Sequence, residues 1–168
     1  MNLYLLRHGI AAGRDPDRFP DDMLRPLTAR GEEQVATIAT AMRHLELGID
    51  AIWTSPLVRT RQTATLVAKC LGIEDRLIDC EHLAPDGAPR KLLEQIAGLH
   101  PAPANLLLVG HEPYLSELLA VLTSGGTTVQ VKLRKGSVAK LAAVGPIRFD
   151  QCATLQWLIP PKLLAMIG

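Results

Sequence analysis

The apolar positions of the chain fall into two kinds of run. The first kind is short and unbroken: Leu3 to Leu6, Ala51-Ile52-Trp53-Thr54, Leu77-Ile78, and Asn105 to Val109 with three leucines and a valine in a row. Runs of this length without polar alternation read as strands buried on both faces. The second kind recurs at helical spacing. Val35, Ile38, Ala39, Met42 and Leu45 follow Thr28, a capping residue, and Gly48 is expected to end that helix. A helix from about Val58 to Leu71 puts Ala64, Val67, Ala68 and Leu71 on one face, with Gly72 at its end. Leu92, Leu93, Ile96 and Leu99 mark a third helix, stopped by His100-Pro101, and Leu115, Leu118, Leu119 and Leu122 a fourth, closed by Gly125-Gly126. The remainder reads as a β region: Val129 to Leu133, Ser137 to Val144 and Ala153 to Leu158. Alternating strands and helices predict an α/β sandwich with a largely parallel sheet.

Residues 11 to 28 fit neither pattern. Asp15-Pro16-Asp17, Pro20-Asp21-Asp22 and Arg25-Pro26 punctuate a polar loop. A loop of that length in a compact domain is often functional, and its Arg14, Arg18 and Arg25 are candidates to guide a substrate. The chain has 168 residues, which predicts one domain.

Charge narrows the function classes. Lys plus Arg is 18 and Asp plus Glu is 17, a net charge of +1. That balance argues against nucleic acid or an anionic membrane as partner, and aromatics at 4% leave no material for a base-stacking platform. Any anion must therefore be met by locally placed cations. Cys70, Cys80 and Cys152 are odd in number and show no CxxC spacing, so neither a disulfide framework nor a metal site is expected. The first apolar run is too short for a signal peptide or membrane span, and a reducing cytoplasm is the default expectation.

Candidate chemistry sits where strands end. The run Leu3 to Leu6 delivers Arg7-His8-Gly9, and the run ending at Val109 delivers Gly110-His111-Glu112. In open α/β sheets, ligands bind outside the carboxyl ends of strands, so these two histidines can converge. Ser55-Pro56-Leu57-Val58-Arg59-Thr60-Arg61-Gln62-Thr63 also follows a strand and places Arg59 in a helix's first turn. The helix macrodipole disfavours a cation there. Unless another group neutralises Arg59, a bound anion is implied, and Arg7, Arg59 and helix amides together suit a phosphoryl group.

These residues resemble a known family. Arg7-His8-Gly9 after an N-terminal strand resembles the RHG signature of the histidine phosphatase superfamily, which includes phosphoglycerate mutases and acid phosphatases. Ser55 to Thr63 resembles its second arginine motif, Gly110-His111 its second histidine, and Pro26-Leu27-Thr28 with Gly31 the opening of its first helix. The short chain, Val109 to Pro113 with Leu115 to Leu118, and Leu83-Ala84-Pro85 look like the SixA-type phosphohistidine phosphatases. The resemblance implies a three-layer, phosphoglycerate mutase-like α/β/α domain with no cofactor. It implies His8 as nucleophile, and Arg7, Arg59 and His111 as catalytic and phosphate-binding groups around the phosphoryl oxygens. Larger relatives carry a glutamate as proton donor. Here Glu81 and His82 are the candidates, and absence of an acid would favour a phosphoramidate, whose imidazole leaves more readily than an alkoxide.

The implied partner is a phosphorylated protein, such as a phosphohistidine domain. The alternatives are a small phosphorylated metabolite, hydrolysed as a phosphomonoester, and a phosphate-binding module without turnover. Lys132, Arg134, Lys135 and Lys140 form a basic stretch. It reads either as a solvated face or as a rim contact for a phosphorylated protein.

Overall fold

A computed structural model describes residues 1–168. Six strands and five helices alternate in the order β1 (Asn2–Arg7), α1 (Ala29–His44), β2 (Ala51–Thr54), α2 (Val58–Leu71), β3 (Leu77–Asp79), α3 (Pro89–Ala97), β4 (Asn105–Gly110), α4 (Tyr114–Ser124), β5 (Val138–Ala143), β6 (Ala153–Ile159) and α5 (Pro161–Leu164). They build one sheet of order β3-β2-β4-β1-β5-β6. The four strands from β3 to β1 run parallel, and β5 is antiparallel to both β1 and β6. The unbroken apolar runs are the central strands, because both sheet faces are covered. Leu3 and Leu5 of β1 and Leu106 and Leu108 of β4 pack on one side with Leu92, Leu93, Leu115 and Leu118. Tyr4, Leu6, Leu107 and Val109 pack on the other with Val35, Ile38, Val67 and Ala68. The expected three-layer α/β/α sandwich with a mostly parallel sheet is the observed one.

This topology places the candidate site. β1 and β4 are neighbours in the centre of the sheet, with Arg7 opposite Gly110. The chain leaves β1 toward α1 on one face and β4 toward α4 on the other. The crevice between two such divergent connections is the place where open α/β sheets hold ligands.

Local signals explain the helix starts. The Thr28 hydroxyl accepts the Gly31 amide at 3.0 Å and opens α1. Gly31 itself is dictated by a close approach: a Cβ there would lie 2.0 Å from the Ile10 carbonyl oxygen, and one at Gly9 would lie 2.6 Å from Val35 Cγ2. The two glycines let α1 press directly against the backbone that follows His8. Gly31→Ala is therefore expected to destabilise the fold by about 1–3 kcal/mol, the usual range for overpacking, as measured by denaturant unfolding. An unchanged midpoint would mean that α1 shifts freely.

Three expectations change. The helix α1 ends at His44, before Gly48, whose positive φ of 59° instead turns the chain toward β2. The third helix ends at Ala97 with Gly98 as its cap, ahead of His100-Pro101. The larger correction is Val129 to Leu133, which is irregular rather than a strand. β1 already has a neighbour on each side, so this segment meets no free sheet edge. Its backbone serves side chains instead: the Leu133 amide donates to Glu112 Oε1 at 3.1 Å, and the Leu133 carbonyl accepts from Arg7 at 2.8 Å. No helix is long and apolar enough to cross a membrane.

Candidate active site

His8 and His111 leave adjacent parallel strands and meet at the sheet's carboxyl edge. Their ring centroids are 5.2 Å apart, with the ring planes at 56°. Both rings are buried, at 6% and 3% exposure. Burial pushes each imidazole from its ordinary 6.5 down to about 3, and Arg59 and Arg7 push the same way. Both histidines are thus neutral near neutral pH. His8 Nδ1 lies 2.7 Å from the Gly9 carbonyl oxygen. A carbonyl only accepts, so Nδ1 carries the proton and Nε2 keeps its lone pair. His111 Nε2 lies 2.8 Å from Ser55 Oγ, while its Nδ1 is buried without a partner.

The two arginines come from different elements. Arg7 ends β1, and its Nη1 donates to the Leu133 carbonyl at 2.8 Å. Arg59 lies in the first turn of α2 and is 4% exposed. That helix has no side-chain cap and no acid in its first turn. The neutralising group is instead Asp22, from the long loop. Arg59 Nη1 donates to the Asp22 carbonyl at 2.8 Å and Nη2 to its carboxylate at 3.0 Å. Arg59 is thus partly compensated within the chain, and the odd placement of a cation there does not by itself require a bound anion. Both guanidinium Nε atoms, of Arg7 and Arg59, are nevertheless buried and unpartnered. Together with His111 Nδ1 they make three buried nitrogens without hydrogen-bond partners, in a pocket where Arg59, Arg7 and Lys135 all bear on a neutral His8. That arrangement suits an oxyanion with several oxygens.

Comparison with known proteins agrees with this geometry. The family model described as histidine phosphatase superfamily (branch 1) matches residues 3–96. The chain belongs to that superfamily. An uncharacterized protein of Picosynechococcus is 38% identical over 95% of this chain and 100% of its own length. A protein of Escherichia fergusonii named as a probable phosphoglycerate mutase is 42% identical over 47% of this chain, a match that spans 35% of that relative. In structure, the chain is similar to the protein histidine phosphatase SixA complexed with tungstate, with a TM-score of 0.81 and 24% identity over 98% of this chain and 99% of that one. Membership assigns the chain phosphatase-type chemistry, in a superfamily that works through a histidine nucleophile.

The structure brings Arg7, His8, Arg59 and His111 together as expected from the superfamily motifs. It does not bond Glu81 or His82 to them. Glu81 is exposed on a 3-10 turn, and neither side chain forms a hydrogen bond or ion pair with the four residues. What this region offers is the His82 carbonyl, which accepts from the Tyr114 hydroxyl at 2.6 Å. The carboxylate that bears on His111 is Asp22. A hydrogen bond from Arg25, and the charges of Arg59 and Arg14, hold Asp22 below the usual carboxylate range. It is therefore ionised at neutral pH and poorly suited to donate a proton.

Sequence reasoning missed Asp22, Ser55, Glu112 and Lys135. In the sequence Lys135 stands out only as part of a basic stretch. Its charge bears on His8, and burial together with Arg7, Arg25 and Arg59 lowers its own pKa. Arg25, expected to guide a substrate, is a strut: it bonds Asp22 at 2.7 Å and the Ala12 carbonyl at 2.6 Å. One signal was available for Asp22. The motif Asp-x-x-Arg at positions 22 to 25 permits a short-range ion pair, although nothing local tied it to Arg59.

Proposed function

We propose that this chain hydrolyses phosphohistidine on a protein, through a covalent phosphate on His8. The observation that carries the reading is the set of three unpartnered buried nitrogens beside a neutral His8 with a free Nε2. In the first step Nε2 attacks phosphorus, the new N–P bond forms, and the bond from phosphorus to the substrate imidazole breaks. The leaving imidazole departs neutral when its other ring nitrogen already carries a proton. His8 Nδ1–H remains on the Gly9 carbonyl and stabilises the charge that develops on the ring. In the second step water attacks phosphorus, and His8 leaves as the neutral ring it was at the start.

The other groups hold oxygens. Arg7 and Arg59 present their Nε–H donors to the phosphoryl group. With the Ser55 hydroxyl donating to Nε2, His111 presents Nδ1–H as a third donor. All these contacts come from residues of the chain, so this route calls on no metal.

Leaving-group chemistry favours phosphohistidine over an ester. No protonated acid is bonded to the four residues, since Asp22 is ionised and Glu81 makes no hydrogen bond to them. A general acid contributes typically 10²–10⁴-fold, so ester substrates that need one are expected to lose roughly 100-fold or more in kcat/KM. The test compares phosphohistidine peptide, phosphoserine peptide and sugar phosphates under one condition. Equal or better turnover of the esters would replace this reading by that of a small-molecule phosphomonoesterase.

A further inference from the structure

A cleft of about 760 Å³ opens beside the phosphoryl pocket, between the start of α1, the irregular segment 129–137 and the start of α5. Its charge departs from the chain's net +1. Arg30 of α1, Lys132 and Arg134 of the irregular segment and Lys162 of α5 all line it, against a single acid, Glu33. All four cations are exposed. None takes part in an ion pair: the five in the molecule involve Arg14, Arg25, Arg59, Arg61 and Arg148. Unpaired like charges converging on one concave surface concentrate a positive potential there.

The cleft shares a wall with the active site. Gln34, in that wall, accepts from the Ile10 amide at 3.2 Å and donates to the Lys135 carbonyl at 3.3 Å. Ile10 lines the cleft and stands two residues after His8. Ser137 also lines it, and its carbonyl accepts the Arg7 amide. The cleft therefore reaches the rim of the phosphoryl pocket.

We infer that this cleft docks an acidic segment of the phosphorylated protein, next to the histidine being dephosphorylated. The inference rests on the proposed function and extends it to the flanking sequence of the substrate. The volume far exceeds one phosphate, and the four cations come from three elements, so a single small anion cannot engage them together. A chain segment bearing several carboxylates can. The walls suit one: Leu158, Pro160 and Pro161 add apolar surface for the stems of acidic side chains. Ser137 Oγ is buried without a partner and offers a hydrogen bond.

The test uses two readouts. In the first, a fluorescein-labelled, unphosphorylated peptide rich in Asp and Glu is titrated with wild type and with R30E/K162E, followed by anisotropy at low salt. These two positions are chosen because Lys132 and Arg134 flank Leu133, which holds Arg7. The double reversal is expected to weaken binding by roughly tenfold or more. The control R43E/K69E reverses two exposed cations outside the cleft and should bind nearly as wild type. Equal binding by wild type and R30E/K162E, or equal weakening by both double variants, overturns the inference. In the second readout, kcat/KM is measured on two phosphohistidine peptides, one with acidic flanks and one with Gly/Ser flanks, and on phosphoramidate. Wild type should prefer the acidic peptide by roughly tenfold, and R30E/K162E should lose that preference while phosphoramidate turnover stays within about twofold. A uniform loss on all three substrates overturns the docking role. Failure of wild type to turn over either peptide sinks the proposed function instead, and the anisotropy result then decides the cleft by itself.

Discussion

His8→Ala is expected to lower kcat by at least about 10⁴-fold and to abolish the covalent phosphoenzyme. The expectation follows from how much of the site is arranged around one atom. His8 Nε2 is the free position of a ring whose Nδ1 is already committed to the Gly9 carbonyl. Burial keeps the ring neutral, so the lone pair is available without a base to deprotonate it. No second nucleophile stands ready. His111 spends Nε2 on Ser55, and the nearby carboxylates of Asp22 and Glu112 are engaged with Arg25 and Arg59, and with Leu133 and Ser116. The residual activity of the variant would come from electrostatic binding of the phosphoryl group by Arg7, Arg59 and His111. The measurement is a rapid denaturing quench after mixing with phosphorylated peptide, followed by mapping of acid-labile, alkali-stable label. Wild type should carry one label on His8. Label persisting in His8→Ala would move the covalent step elsewhere, and turnover of wild type with no label at any time would indicate direct attack by water. His8→Asn, closer in volume, guards against a result caused by a collapsed pocket.

Much of this site is visible in the chain before folding. The two histidines follow unbroken apolar runs, and such runs can only be central strands of a sheet covered on both faces. Arg59 stands out because a helix start is a poor place for a cation. What the chain hides is every contact whose partners are distant in sequence and joined by only one or two hydrogen bonds. Asp22 and Arg59 are 37 residues apart, and Ser55 and His111 are 56. No periodicity encodes such pairs. The segment Val129 to Leu133 fails differently. Leu133 is buried and Val129 is exposed, so the apolar positions do not share one face, and a strand also needs a free edge beside it, which belongs to the whole sheet. The same segment supplies the Leu133 carbonyl to Arg7, so the place where the strand expectation breaks is also a place where the backbone serves the site. Glu81 and His82 match the superfamily's proton donor only by rough position in the chain. The fold turns that stretch into a 3-10 turn that buries Leu83 and leaves Glu81 exposed.

The neutral histidine pair also has a cost that appears as acid sensitivity of the fold. An ordinary histidine ionises near 6.5, whereas His8 and His111 stay neutral down to about 3, chiefly because burial penalises the charged ring. Between those values the unfolded chain takes up two protons that the folded chain refuses. Stability therefore falls as pH falls through this window, and the full contribution is present only above about 6.5. Each histidine contributes a slope of at most about 1.4 kcal/mol per pH unit, so the pair amounts to several kcal/mol across the window. Asp22 is likewise held below its ordinary value of 3.8, by the Arg25 hydrogen bond rather than by burial, and its contribution is lost in the same direction but only at more acid pH. Denaturant unfolding between about pH 6.5 and 4.5 thus isolates the histidines. Wild type should lose stability steeply over that range, and His8→Asn should lose it at a visibly lower slope. Equal slopes would mean that His8 is protonated in the folded protein well above 3. Ring ¹⁵N correlations at pH 5 provide the independent check: His8 should appear as the neutral tautomer with the proton on Nδ1. The same neutrality predicts that kcat/KM shows no acid limb near 6.5 from His8. The burial that weakens the fold in acid is what keeps the nucleophile competent there.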